Sequence, residues 1–383
     1  MSSRGYASSR RTVSWLDKFV HLKWGLVLLV TVIATTGIAM QYSMAGGHFY
    51  PWAAPQLMRF AMGMFLLMVA SLVDIRVWMA LAYPAYVISF LLLIAVEVAG
   101  HVGLGAQRWI EIGPIQLQPS ELMKISLVLA LARYLHGLGV EDVSRPARLS
   151  VALILIVAPA VLVLKEPNLG TATILLADGF SLLFLAGLSW WWILPSTGAL
   201  VAAVPVAWHF LHDYQKRRVL TFLNPQSDAL GAGWNIGQAE IAMGSGGFGG
   251  KGFVQGTQSR LNFLPEKNTD FALSALGEEF GFVGCVVLLV LFAVVMSYGV
   301  RIAMASRSQF GRLVAIGITL NFFFYIMINA AMVMGLIPVV GIPMPLISYG
   351  GTAMLTVMFG FGLLMSVHVH RQVEIPRSPG GFL

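Results

Sequence analysis

Phe263-Leu264-Pro265-Glu266-Lys267-Asn268-Thr269-Asp270-Phe271 closes the one long polar interval of this chain, which begins near His212, and returns the chain to an apolar run from Phe271 to Val300. Glu278 and Glu279 follow inside that run, so carboxylates gather where polar sequence meets apolar sequence. Ionisable groups at such a boundary are costly unless paired or solvated, which makes them candidates for function. That argument holds only if the rest of the chain lies in lipid.

Composition says that it does. Of 383 residues, 57% are hydrophobic and 11% charged, and the mean hydropathy is +0.79, far from the balance of a soluble domain. Apolar runs long enough for a hydrocarbon core of about 30 Å recur at Trp24 to Tyr42, Leu57 to Val73, Val77 to Ala99, Leu122 to Leu135, Leu149 to Leu164, Thr171 to Leu188, Trp190 to Leu211, Phe271 to Val300, Leu313 to Val340 and Leu346 to Val369. The expectation is an all-α integral membrane protein of about ten transmembrane helices, with a large loop, 212–270, between the seventh and eighth. The membrane domain then runs over 23–371, between tails 1–22 and 372–383.

An even helix count puts both termini on one side. Arg4, Arg10, Arg11, Lys18 and Lys23 mark that side as cytoplasmic, and Arg76, Arg133, Arg145, Arg148, Arg307 and Arg312 fall on the same face. The short opposite loops hold only Arg108 and Lys165, so the 212–270 loop is expected outside. The net charge of +7 reflects this sidedness and makes no case for nucleic acid. The basic tail is followed by a span too long for a signal-peptide core, so the first helix reads as an uncleaved anchor. Cys285 is the lone cysteine and can form no internal disulfide.

Two further stretches invite chemistry. Gly244-Ser245-Gly246-Gly247-Phe248-Gly249-Gly250-Lys251-Gly252 lacks the Lys-Ser/Thr ending and the preceding strand of a nucleotide loop. It reads as a flexible turn or re-entrant hinge whose amides can also touch an anionic headgroup. Gly105-Ala106-Gln107-Arg108-Trp109 precedes Gln118-Pro119-Ser120-Glu121, with Lys124 just inside the fourth helix. Pro119 suits a first helical turn, and Glu121 with Lys124 forms an i,i+3 pair. The pair either neutralises itself to enter lipid or presents Lys124 to a phosphate; spacing leaves both open.

These stretches, in this order, resemble the SEDS family (shape, elongation, division and sporulation) over nearly the whole chain. The resemblance also rests on Asp228 to Gly233, Ile241 to Gly247, Leu264-Pro265-Glu266, Thr269-Asp270-Phe271, Glu278-Glu279 and Pro338-Val339-Val340-Gly341 through Ser348-Tyr349-Gly350-Gly351. His212-Asp213-Tyr214-Gln215, Gly256-Thr257-Gln258-Ser259 and His368-Val369-His370-Arg371 look like its RodA branch, which serves elongation, more than its FtsW branch.

The resemblance implies a peptidoglycan glycosyltransferase of the bacterial inner membrane that polymerises lipid II, a disaccharide-pentapeptide on undecaprenyl diphosphate, on the extracytoplasmic face. It also implies a partner, a class B penicillin-binding protein. In that reaction an acceptor 4-hydroxyl attacks the anomeric carbon of a lipid-linked glycan, diphosphate leaves, and an α linkage becomes β. The displacement needs a base and positive charge for the leaving group. Asp270 matches the family's catalytic aspartate, although an Asp beside Thr269 ahead of an apolar run is also an ordinary N-cap. Lys124, Glu121, Arg108 and Trp109 are substrate- and diphosphate-binding candidates, as are Lys165, Lys251, Arg260 and Lys267. Glu266, Glu278 and Glu279 are supporting acids that either pair with neighbours or bind a divalent cation, the one cofactor the sequence leaves open.

Two positions depart from the family pattern: Asn268 stands where His is common before Thr-Asp-Phe, and Asn168 where Asp follows Glu166-Pro167. Asp178, outside that pattern, is expected to pair internally or approach an interface. The prolines at 338, 343 and 345 break the helical pattern, so this stretch either walls a substrate groove or makes a plain kink, with Asn329 placed to bond the freed backbone. Trp190-Trp191-Trp192 reads as an interfacial aromatic belt on the cytoplasmic side. The rival readings are a flippase of lipid-linked precursors and a non-catalytic scaffold for wall synthases.

Overall fold

The computed structural model describes residues 15–376 apart from 100, 104–105, 113–114, 167, 262, 264–265 and most of 193–231, where 198, 202, 216, 220–222 and 224 are described. The chain is mainly helical: α1 (Trp15–Val20), α2 (Trp24–Met44), α3 (Ala53–Leu72), α4 (Ile75–Ala99), α5 (Pro119–His136), α6 (Val140–Val143), α7 (Pro146–Lys165), α8 (Leu169–Leu185), α9 (Ala232–Ser245), α10 (Thr257–Arg260), α11 (Ala272–Ala305), α12 (Gln309–Val333) and α13 (Gly351–Val369). Local chemistry sets many of the starts. Pro119 and Pro146 sit in the first turns of α5 and α7, where a missing N–H costs nothing. Asn168 and Ser308 cap α8 and α12 by accepting from Thr171 N and Gly311 N.

Among the described residues seven helices, namely α2, α3, α4, α7, α11, α12 and α13, are long and apolar enough to cross a membrane, and α8 is a shorter apolar helix. The less apolar α5 is buried nearly all round, with Leu127, Leu129, Leu131 and Lys124 all inside, among α4, α8, α12 and α13. Packing in lipid relies on close approach of small residues. A Cβ added to Gly362 of α13 would stand 2.8 Å from the Leu67 carbonyl oxygen of α3.

The expected seventh span, Trp190 to Leu211, lies outside the described residues except at Trp190, Trp191, Trp192, Gly198 and Ala202; the three tryptophans are exposed. Most of 212–231 lies outside them too.

One expectation needs correction. The fold is not all-α, because an antiparallel sheet, β1 (His101–Gly103), β2 (Ala106–Ile112) and β3 (Ile115–Leu117), joins α4 to α5. Its outer strands are three residues long, too short for an alternating pattern to register. The 212–270 interval contains α9 and α10. The helix of the eighth span is kinked. At 34 residues α11 would reach about 51 Å, well beyond a hydrocarbon core, and it breaks at Gly281 (φ 64°, ψ −162°).

The bundle has two distinct ends. At one, Lys18 donates to the Leu72 carbonyl, Arg307 N to the Arg371 carbonyl and Gln309 to the Leu135 carbonyl. The other end holds the start of α11, the turn from α7 to α8, and the stretch 334–350.

Candidate functional site

Asp270 precedes α11, whose N-cap position is taken by Phe271. The segment is fixed by its backbone. Asn329 of α12 donates from Nδ2 to the Asp270 carbonyl (2.9 Å) and to the Ile342 carbonyl (2.6 Å). Tyr349 N and Gln41 Nε2 both donate to the Asn268 carbonyl, at 2.7 and 3.0 Å. The Asp270 carboxylate, half-buried, lies against Gly341, where a Cβ would meet Oδ2 at 3.5 Å.

The proline-rich stretch is therefore a wall beside Asp270. Gln41 of α2 also donates to the Ile347 carbonyl, Gln56 of α3 to the Ser348 carbonyl, and Arg59 stacks 4.3 Å from the Tyr349 ring centre. Side-chain amides thus satisfy backbone that no helix satisfies. Tyr325, Pro343, Pro345, Ser348, Gly350 and Met354 line a cavity on this wall.

Glu278 and Glu279 organise the glycine-rich stretch. Glu278, fully buried, accepts from Lys251 Nζ (2.8 Å), Thr257 Oγ1 (3.0 Å) and Gln258 N (2.9 Å). Glu279 accepts from Ser43 Oγ and from Val254 N. Lys251 N and Gly252 N bond the Glu278 and Glu279 carbonyls, and Phe282 N bonds the Gly247 carbonyl. A Cβ on Gly250 would stand 2.2 Å from the Glu279 carbonyl oxygen. Gly246 and Gly250 let this turn pack as a clasp on the backbone of the kinked helix, while Gly244, Gly247 and Gly249 face open space.

A polar stripe on α12 extends the site inward. Asn321, Tyr325 and Asn329 recur every four residues on one face. Asn321 bonds the fully buried Asp178 of α8. Tyr325 bonds Glu121 and Lys124 of α5, which pair with each other at 2.7 Å. Lys124 is fully buried, its Nζ 4.0 Å from the Tyr325 ring centre. Asn329 and the internal pairing of Asp178 were expected from sequence, but Tyr325, Asn321, Gln41, Gln56 and Ser43 were not. The four-residue recurrence in an apolar helix was the available signal.

The remaining candidates are more dispersed. Arg108 and Trp109 lie on β2, and Arg108 donates from Nε to the Glu166 carbonyl (3.0 Å). Lys165 is exposed beside Glu97, 3.6 Å away. Arg260 ends α10 and is exposed. Lys267 is buried with its ammonium 5.5 Å from the Trp52 ring centre, and burial lowers its pKa. Glu266 is exposed and accepts from Thr269 Oγ1 (2.9 Å). Asn168 serves as a cap, so its amide replaces a carboxylate without loss of that role. Among the described residues no group of three His, Cys, Asp or Glu is placed to hold a metal ion.

A half-buried carboxylate against a wall of bonded backbone, just ahead of the helix whose Glu278 and Glu279 hold the clasp, at one end of a many-spanned bundle, defines a polytopic membrane protein with a polar site at its rim. A family model named for FtsW, RodA and SpoVE and described as "Cell cycle protein" matches residues 15–373. The chain belongs to that family. It is 41% identical to the peptidoglycan glycosyltransferase MrdB of Escherichia coli K12 over 92% of this chain and 95% of that one. A solved chain of a peptidoglycan synthase complex, studied for its coordination of polymerization and crosslinking, superposes with TM-score 0.79 at 33% identity, covering 91% of this chain and 98% of that one. The rod shape determining protein RodA of Thermus thermophilus superposes with TM-score 0.69 at 29% identity, covering 91% and 97%.

Proposed function

We propose that the chain is a peptidoglycan glycosyltransferase that polymerises lipid II during cell elongation, with Asp270 as the general base. The observation that carries this reading is the placement of Asp270. Its backbone is fixed by Asn329, its carboxylate is half-buried and it lies against the Gly341 backbone. A base must be positioned before it can act, and the charge of a departing diphosphate must be met. Arg108, Lys251, Arg260 and Lys267 supply that positive charge around the site. Trp109, the next residue along β2, is proposed as a flat apolar face for a sugar ring. Lys124 stands one side chain behind the cavity wall, and its role is to neutralise Glu121 and hold Tyr325.

We place the site end outside, with both termini cytoplasmic and the lipid tail in the bilayer. The basic groups at the opposite end support this orientation. Ten spans remain the proposed topology, supported by the seven long apolar helices and the shorter apolar α8 among the described residues. A class B penicillin-binding protein is the proposed partner, because the similar solved chain belongs to a synthase complex. The flippase reading draws on the α12 stripe, but its members are buried and bonded to neighbouring helices.

The test is Asp270→Asn. Asn nearly matches Asp in shape, so the fold should survive. Polymerisation should fall about 100-fold to 10,000-fold, the usual cost of a lost base. A folded Asp270→Asn protein with near wild-type polymerisation would return Asp270 to a structural role.

A further inference from the structure

Glu166 closes α7 at the site end, and neither the wall nor the clasp uses its side chain. The residue is only 4% exposed, yet among the described residues neither Oε1 nor Oε2 has a hydrogen-bond partner. Buried polar atoms in native folds are nearly always bonded, so a carboxyl with both oxygens unspent is built for something else. Arg108 bonds the Glu166 backbone carbonyl.

Its place in the fold ties it to Asp270. Asn168, two residues on, caps α8, and Gly170 in the first turn packs against the wall. A Cβ there would meet Ile342 Cγ1 at 2.6 Å and the Val340 carbonyl oxygen at 3.0 Å. Gly341, between those two residues, is the one that touches the Asp270 carboxylate. The first turn of α8 and the base thus both lie against one short strip of backbone, 340–342.

We infer that Glu166 is a second substrate-reading group of this site, holding an uncharged hydroxyl or acetamido group of the lipid-linked disaccharide rather than its diphosphate. The inference rests on the glycosyltransferase reading above. Burial raises the pKa of Glu166 to about 8, with Arg108 on β2 lowering it and Glu97 on α4 raising it. Lys165, on α7 itself, lies beside Glu97. Below that pH the carboxyl keeps its proton and offers both a donor and an acceptor, the complement of a hydroxyl or an amide. A diphosphate, all acceptors, would instead meet a carboxyl that repels it once ionised.

The experiment measures kcat and KM for lipid II with purified full-length protein on either side of about pH 8. Wild-type KM should rise as pH passes that value, because the donor is lost. Glu166→Ala should raise KM about tenfold with little change in kcat, the worth of one good hydrogen bond. Glu166→Gln, which keeps a donor and an acceptor in the same volume, should restore most of that loss and flatten the pH dependence. A Glu166→Gln variant as impaired as Glu166→Ala, or an unchanged KM in Glu166→Ala, overturns the inference. If Glu166→Ala does not fold, the wild-type and Glu166→Gln pH profiles decide alone, and a flat wild-type profile overturns it. Asp270→Asn is assayed alongside. If it polymerises, the underlying reading fails; if it is inert while Glu166→Ala keeps its KM, only the role of Glu166 fails.

Discussion

Lys124 is the residue whose role the sequence left most evenly divided, and its surroundings narrow the choice. It is fully buried, paired to Glu121 at 2.7 Å and bonded to Tyr325. Removing one member of a buried ion pair strands the other and typically costs about 3–5 kcal/mol, whereas removing both can be nearly neutral. Lys124→Met alone should therefore lower both thermal stability and polymerisation, and adding Glu121→Gln should recover most of each. A double variant that regains stability but stays inactive would give Lys124 the diphosphate after all. The pair itself was legible, because three residues along a helix is a local relation. Tyr325 was not. A tyrosine in an apolar helix looks like packing until a partner about two hundred positions away is known.

Elements were legible where their signal was periodic and long, and illegible where it was contact-driven. The cores of α2 to α4, α7 and α8 follow from apolar run length, but the sheet between α4 and α5 does not. The stretch 244–252 was read as flexible because glycine clusters usually mark turns. Two of its glycines, Gly246 and Gly250, stand where the backbone around Glu278 and Glu279 leaves no room for a Cβ, which no local reading reveals. Gly281 is the matching element on α11. Its φ of 64° with ψ of −162° is a region open essentially to glycine alone, and an added Cβ would stand 2.4 Å from Gly250 N. Gly281→Ala should cost at least about 1–3 kcal/mol, read as a lower thermal unfolding temperature in detergent. It should also reduce polymerisation by unseating the clasp that carries Lys251. A variant unfolding with wild-type behaviour would show that the kink does not depend on glycine.

At the scale of the molecule, composition made the membrane class plain, and the order of motifs pointed to the family now shown by the match over residues 15–373. The architecture of the site was not readable, because its groups come from α2, α3, α5, α11, α12 and the stretch before α13, and only the folded bundle brings them together. That convergence supports an enzyme in its own right, more than a scaffold or a conduit for lipid. The direct measurement is polymerisation of lipid II by the purified chain, with and without the proposed single-span transpeptidase partner and with every other glycosyltransferase absent. The account predicts glycan strands from the wild-type chain and none from Asp270→Asn; strands that form only when another glycosyltransferase is added would contradict it.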